Sequence, residues 1–452
     1  MIFPFFRMNR EQPLTSEKLM EFINLNKRIT AERYLNLWNA YQNDYDILHK
    51  RQKPAWKPDN RITVNHARYI TDTFEGFFSG IPVKITSDDE SVQDFLQYVN
   101  SYANVNGRIS EVSTLCAIFG RAHIVSYLDK YKEIKTTTLS PMESFMIYDD
   151  SMDAEKLYFV RYWYDDYRKK ESCSVADSTK ITYYDLSPNP TWTGEEEHGF
   201  PDVPAVEFKQ NITRTGIFED QLSMINAYCN VLSEKANDVE VFADAYMKIL
   251  GFALDEKTVN FLRDNKIINS ANATENTDVG FLERPSGDTI EEHFLDRVEQ
   301  DIYDTAKVLN PHDNNFSASS GIAIRYKMSN MRNMAGTKER LMRTSLRELF
   351  HLILGHAIPN FPDEAWLRLH FDFRYAWPTN DSEEADTAAK LSGITSKRTQ
   401  LRVLSLVDDV DAELEQIEKE QDELSYSTDY PTNRLTAEEE DDAEDEDENK
   451  ES

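Results

Sequence analysis

The chain is short of cysteine, glycine and positive charge, and each shortage removes a class of protein. Its three cysteines, Cys116, Cys173 and Cys229, are odd in number and share no Cys-x-x-Cys spacing. A disulfide framework and a thiolate zinc site are therefore not expected. With only 14 glycines and 16 prolines in 452 residues, the composition is neither collagen-like nor low in complexity. No apolar run approaches the roughly 20 residues that span a bilayer. The opening "MIFPFFRMNREQPL" has aromatic bulk but no basic lead and no small-residue cleavage site, so neither a secretory signal nor a membrane association is expected. The patterns GxxxxGK[ST], GxGxxG, HExxH and GxSxG and the EF-hand loop are all missing, which leaves no expected catalytic group, metal or cofactor. Lys and Arg number 50 against 81 Asp and Glu, a formal net charge of −31. Affinity for phosphates comes from Lys and Arg displacing counterions, so this chain does not grip nucleic acid over its whole surface. A protein that lets nucleic acid pass is not excluded.

What remains is a globular chain, 40% hydrophobic and 12% aromatic, long enough for two or three ordinary domains. Apolar spacing predicts helix over residues 14–50, ended by Pro54 and Pro58, and a second helix capped by Asn65 that carries Ile70, Phe74 and Phe77. A short helix over "VQDFLQYVN" follows, and after Gly120 the period falls to two. Residues 124–208 predict an antiparallel β region. Helical spacing resumes after Gly216 and predicts one helix of about 30 residues running from Phe218 to Ile249. An irregular stretch leads to another helix from Asp288 or Thr289, with Ile290, Phe294, Val298, Ile302 and Leu309 on its apolar side and Pro311 as its stop. A long helical pattern runs from Ser320 to His356 with a weak point at Gly336. Val403, Val407, Val410, Leu414, Ile417 and Leu424 predict one further amphipathic helix. The like-charge block over residues 436–452 cannot bury apolar surface and is expected to be disordered. The fold class is α+β, mainly α.

Several groups invite a chemical reading. Asp149, Asp150 and Asp153 in "YDDSMD" resemble a cation loop only loosely, and a solvated turn after a strand is expected instead. His351 and His356 are five apart, on different helical faces, and are expected to be satisfied histidines rather than ligands. Met328, Met331, Met334 and Met342 are expected to fill core. The basic residues Arg325, Lys327, Arg332, Lys338, Arg340, Arg343 and Arg347 gather on one helical segment of an acidic protein. They fit a solvated face, partners for acidic neighbours, or a phosphate-binding face. A DNA-binding accessory subunit or a nuclease-type enzyme that uses the 325–347 helix is therefore an alternative class.

A series of phrases carries a family resemblance. "KPDNRITVNHARYITDTFEGFFSGIPV", "PMESFMIYDDS", "VPAVEFKQN", "GIFEDQLSMINAYCNVLSEKANDVEVFADAYMKILG", "SGIAIRYKM" and "GITSKRTQLRVLSLVDDVDAELEQIEKEQDE" occur in this order. Across roughly residues 20–425 the chain resembles the portal proteins of long-tailed double-stranded DNA bacteriophages, the head-to-tail connectors of the capsid. The resemblance implies a non-enzymatic homo-oligomeric ring, commonly of twelve subunits, that passes double-stranded DNA through a central channel during packaging and ejection. It implies a portal-type fold with long stem helices, a β-containing wing, a clip insertion and a helical crown. The wing would take residues 1–216, the stem helices 217–250 and 289–309, the clip 251–288 and the tunnel loop 310–320. The crossing helix and its return to the wing would occupy 321–380, the crown 381–430 and the acidic tail 431–452.

In that frame Asp313, Asn314, Asn315, Phe316, Ser317 and Ser319 of the tunnel loop would face DNA. Glu291, Asp296, Glu299, Asp301 and Asp304 would line the channel and repel phosphate. Arg325, Lys327, Arg332, Arg340, Arg343 and Arg347 would lie between subunits or near DNA. The implied partners are the terminase large subunit at the clip, the major capsid and scaffold proteins and a head-tail adaptor protein. The implied place is the portal vertex of the virion, after assembly in the bacterial host cytoplasm.

Overall fold

A threonine and an asparagine set the first helices. The computed structural model describes residues 6–55, 57–187, 189–243, 247–250, 278–281, 288–310, 325–356, 361–362, 364–377, 381–404, 406–407 and 410–427. Thr15 accepts a hydrogen bond from the Lys18 amide at 3.2 Å and starts α1 (Ser16–Ile29). The single helix expected to residue 50 does not form. A π turn over Thr30–Tyr34 leads into α2 (Leu35–Tyr41), and Asn43, at φ 66°, ends the run in the left-handed region that Asn tolerates. Asn65 caps α3 (His66–Ser79) as expected, accepting from the Arg68 amide at 3.0 Å. Next come α4 (Glu90–Ala103) and α5 (Val105–Phe119). Gly120 ends α5 at φ +86°, and a Cβ there would lie 1.9 Å from the Arg214 carbonyl oxygen, so the turn accepts only glycine.

The β region is antiparallel, as its alternation predicts, with one exception. A six-stranded sheet has the order β1 (Phe6–Met8), β5 (Ser144–Asp149), β6 (Lys156–Asp165), β7 (Lys170–Ala176), β8 (Lys180–Asp185), β9 (Thr191–Glu197). Its β1 runs parallel to β5, with Phe6 opposite Ile147. A three-stranded sheet joins β10 (Ala205–Lys209), β3 (Arg121–Leu128) and β4 (Ile134–Leu139). β2 (Lys84–Thr86) pairs with the distant β13 (His370–Asp372). One face of the large sheet is sealed by α1, through Phe6, Leu19, Phe22, Ile23, Phe145 and Val160. A larger core fills the space among α2, α3, α4, α5 and the strands of the small sheet.

The helices beyond residue 216 depart from their expected bounds. A 3-10 turn over Glu219–Gln221 precedes α6 (Leu222–Ala243), so Phe218 stands outside the helix. The cause is Arg33, which holds the Glu219 carboxylate through two bonds of 2.6 and 2.7 Å, while that carboxylate also accepts the Gly216 amide at 2.8 Å. Two strands of the region between the helices, β11 (Met247–Leu250) and β12 (Asp278–Phe281), pair antiparallel. α7 (Asp288–Ala306) stops at Lys307, which adopts φ 60°, before Pro311 is reached. Leu309 is thus packed from a turn rather than from the helix. α8 (Ser329–His356) runs unbroken for 28 residues through Gly336.

The chain forms two compact units, Met1–Trp377 and Pro378–Ser452. The described part of the second holds α9 (Asp381–Lys390), α10 (Lys397–Leu401) and α11 (Val410–Ser427). The one helix expected from Val403 is broken, because three-residue turns at Leu404 and Val407 tighten the chain ahead of α11. The fold is mixed α+β, about half helical with several sheets. The acidic block at 436–452 lies outside the described residues.

Candidate channel and inter-subunit surfaces

α6 and α7 pack on each other, and the segment before α3 straps them to the first core. The Asn60 amide donates to Asn237 Oδ1 at 2.6 Å, the Ile62 amide to Ser233 Oγ at 2.9 Å, and Lys53 pairs with Glu234 at 2.9 Å. On the α7 side the His66 ring nitrogen Nδ1 bonds the Tyr303 hydroxyl at 2.9 Å, and Gln221 donates to Thr305 Oγ1 at 3.2 Å. Burial pushes the Tyr303 hydroxyl up, with the charge of Glu299 adding to the shift. The "PDNRITVNH" segment is therefore the mechanical joint between the helix pair and the rest of its unit.

That pair does not complete its own core. Ile225, Cys229, Leu295, Ile302, Tyr303 and Ala306 are buried, yet Val239 on α6 is 62% exposed and Phe294 on α7 44% exposed. Phe294 thus departs from the apolar side expected for it. The acidic residues of α7 differ among themselves: Asp296 and Asp304 are exposed, Glu291 and Glu299 half-buried. Asp301 is held by Arg297 at 2.9 Å one helical turn earlier, and Glu292 pairs with Lys235 of α6. Asp313, Asn314, Asn315, Phe316, Ser317 and Ser319 lie outside the described residues.

The basic segment divides into separate groups. Arg325, Arg332, Arg340 and Arg347 are exposed, and Arg340 donates to the Thr337 hydroxyl at 3.2 Å. Lys327 is half-buried. Arg343 turns inward: it pairs with Glu339 at 2.6 Å, donates to the Phe371 carbonyl and lies over the Phe373 ring at 5.0 Å. Lys338 is completely buried and bonded to Glu75 of α3. Lys338 and Arg343 thus serve the interior, while Arg325, Arg332, Arg340 and Arg347 stay on the surface. Met328, Met331 and Met342 are buried and Met334 half-buried, the core filling expected of them.

Two buried ionic networks were not anticipated. The Glu207 carboxylate on β10 takes two bonds from Arg214, at 2.9 and 3.0 Å, and one from the Tyr148 hydroxyl at 2.8 Å, with Arg121 at 3.6 Å. Burial alone would push this carboxyl up; the hydrogen bonds and charge of Arg214, with Lys209 and Arg121, more than offset that and hold it far below the usual carboxylate range. The second network is Lys338 with Glu75. Its signal was present, since Glu75 lies among Ile70, Phe74, Phe77 and Phe78, and Lys338 continues the apolar spacing of Met331, Ala335, Met342 and Leu346. An ionisable residue at a core position of two different helices is what a buried pair looks like in sequence.

The remaining candidates are structural. Asp149 closes its turn by accepting from the Ser151 amide and hydroxyl and the Glu155 amide, at 3.2, 2.6 and 2.9 Å. His356 bonds the Gly199 carbonyl at 2.9 Å, and His351 lies against the Trp366 ring at 4.9 Å. Among the described residues no three His, Cys, Asp or Glu side chains are grouped to hold a metal ion, and no helix is long and apolar enough to cross a membrane.

A family model described as phage portal protein, SPP1 Gp6-like, matches residues 22–425. The chain is also 23% identical over 450 residues to the portal protein of Clostridium phage phiCD119, an alignment that covers 88% of this chain and 94% of that protein. The matched span takes in the strap, the helix pair, the strands from β2 to β13 and α8. The chain belongs to the SPP1 Gp6-like family of phage portal proteins, non-enzymatic structural proteins of phage DNA packaging.

Proposed function

We propose that copies of this chain close into a ring at one vertex of the phage capsid, and that α6 and α7 form the stem around a channel for double-stranded DNA. The observation that carries this is the unfinished core of the helix pair, with Val239 and Phe294 left in solvent. A ring closed by a head-to-tail interface covers such residues with the neighbouring copy. The exposed carboxylates Asp296 and Asp304, with Glu291, Glu299 and Asp301 beside them, give the channel wall a charge that repels phosphate over about 8–10 Å at physiological salt. Arg325, Lys327, Arg332, Arg340 and Arg347 pair with acidic surfaces of the adjacent subunit, with only the first of them near DNA. Arg343 backs the row from within.

The wing is residues 1–216, the clip 251–288, the tunnel loop 310–320 and the crown 381–430. The β11–β12 ribbon joins the stem to the clip, and the clip docks the terminase large subunit and later the head-tail adaptor. Asp313, Asn314, Asn315, Phe316, Ser317 and Ser319 form the DNA-facing edge of the tunnel loop. Capsid and scaffold proteins surround the wing in the virion. Deleting three residues within 314–319 in a phage-complementation assay is expected to leave rings intact and stall packaging. Full packaging by the shortened chain would remove the loop from the channel.

A further inference from the structure

Lys338 is the one basic residue of α8 with no exposed surface, and its surroundings are built for it. The ammonium bonds the Glu75 carboxylate of α3 and donates to the Ser113 carbonyl of α5 at 3.0 Å. It also lies 4.9 Å from the Phe78 ring centre and 5.3 Å from that of Phe74. The other Glu75 oxygen accepts from Ser113 Oγ at 2.5 Å and Ser79 Oγ at 3.1 Å. Three helices thus meet at a single satisfied charge pair inside an aromatic core.

Such a pair adds little stability over an apolar pair of the same size, because desolvating two charges offsets their attraction. What it does add is register. An α-helix rises 1.5 Å per residue and 5.4 Å per turn. Sliding α8 by either step takes the ammonium out of reach and leaves two buried charges without partners. A Met or Leu in its place would tolerate the slide. Beyond Lys338, α8 is held along its length: Met342, Leu346, Leu349, Phe350, Leu352 and Ile353 are buried, and Ser345 donates to the Glu207 carbonyl at 2.7 Å. Before it the outward positions Arg325, Tyr326, Ser329, Asn330, Arg332 and Asn333 are exposed, while Met328, Met331 and Ala335 are buried in the same core.

We propose that Lys338, through Glu75 and Ser113, is the positioning residue that fixes the axial register of α8, so that the helical turn just ahead of it presents Arg325 and Lys327 at one set depth in the channel. The inference rests on the portal reading above.

The test uses the full chain in phage complementation, with ring yield by native mass spectrometry, thermal midpoint, and DNA packaged per particle. Lys338→Met alone leaves Glu75 unpaired and is expected to lower the midpoint by several degrees and cut ring yield. Glu75→Leu/Lys338→Met replaces the pair with apolar residues and is expected to restore the midpoint and the rings, while packaging stays several-fold below the unmodified chain. A double variant that packages fully would overturn the assignment by showing the pair to be exchangeable filling. So would a Lys338→Met variant with unchanged midpoint and packaging. An unmodified chain that forms no ring fails the portal reading itself, whatever the variants do.

Discussion

The two-sheet region and the α6–α7 pair show opposite ways of handling polar and apolar groups. Around the sheets, charges are buried and matched: Glu207 is enclosed by Arg214, Arg121 and Tyr148, and the apolar residues of α1 and the large sheet cover one another. Along the helix pair, charges stay outside and apolar residues are left over, Val239 and Phe294 among them. A region that closes its own core needs no partner. One that ends with exposed apolar side chains on a helix pair, in a chain from a ring-forming family, is on our proposal finished by another copy.

The largest expected effect breaks the first side of that comparison. Arg214→Met leaves the Glu207 carboxylate buried without its bidentate partner and should cost about 3–5 kcal/mol in denaturant unfolding. Because the Glu207 carboxyl is held below its ordinary value, its contribution is fully present above that value and fades as pH falls below it. The unmodified chain should therefore lose stability on acidification in a way that Glu207→Gln, already weakened at neutral pH, does not. Equal acid profiles for the two would remove Glu207 from this role.

The second expected effect breaks the other side. Val239→Asp with Phe294→Asp should leave the far-ultraviolet circular dichroism of the folded chain intact and abolish rings. Each apolar side chain buried between neighbours contributes roughly 1.5–3 kcal/mol when fully covered, and the loss repeats at every interface. Rings of normal yield from this variant would mean that the exposed pair faces solvent in the assembly.

The smaller effects sharpen the contrast. Arg340→Glu removes one exposed cation worth about 0–1 kcal/mol at a single contact, and its effect on ring yield should grow as salt is lowered. Normal assembly with reduced DNA retention would assign the exposed row to DNA instead. Deleting residues 437–452 should change ring yield least of all, and a truncated chain that stays monomeric would contradict that.

Local signals carried far in the sequence where one side chain decides one turn. Asn65 capped its helix, Gly120 marked the switch from helix to strand, and the alternation over 124–208 became an antiparallel sheet region. The bounds of longer helices were less legible, because distant residues set them. Arg33 pulls Glu219 out of α6 across more than 180 positions of sequence, and Lys307 ends α7 through a left-handed conformation that no propensity favours for lysine. Parallel β1 gives no periodic signal in three residues. The basic segment looks like one surface when its charges are counted together; the apolar spacing of Met331, Ala335, Met342 and Leu346 marks Lys338 as inward, and Glu75, far away in sequence, is the acid it meets.

The central claim is that this chain is one subunit of a closed channel. Native mass spectrometry of the purified full-length protein, with negative-stain images of the same sample, tests it directly. The account predicts a single large oligomer, close to twelve chains, seen as a ring with an open centre. A stable monomer or dimer at micromolar concentration and moderate salt would contradict it.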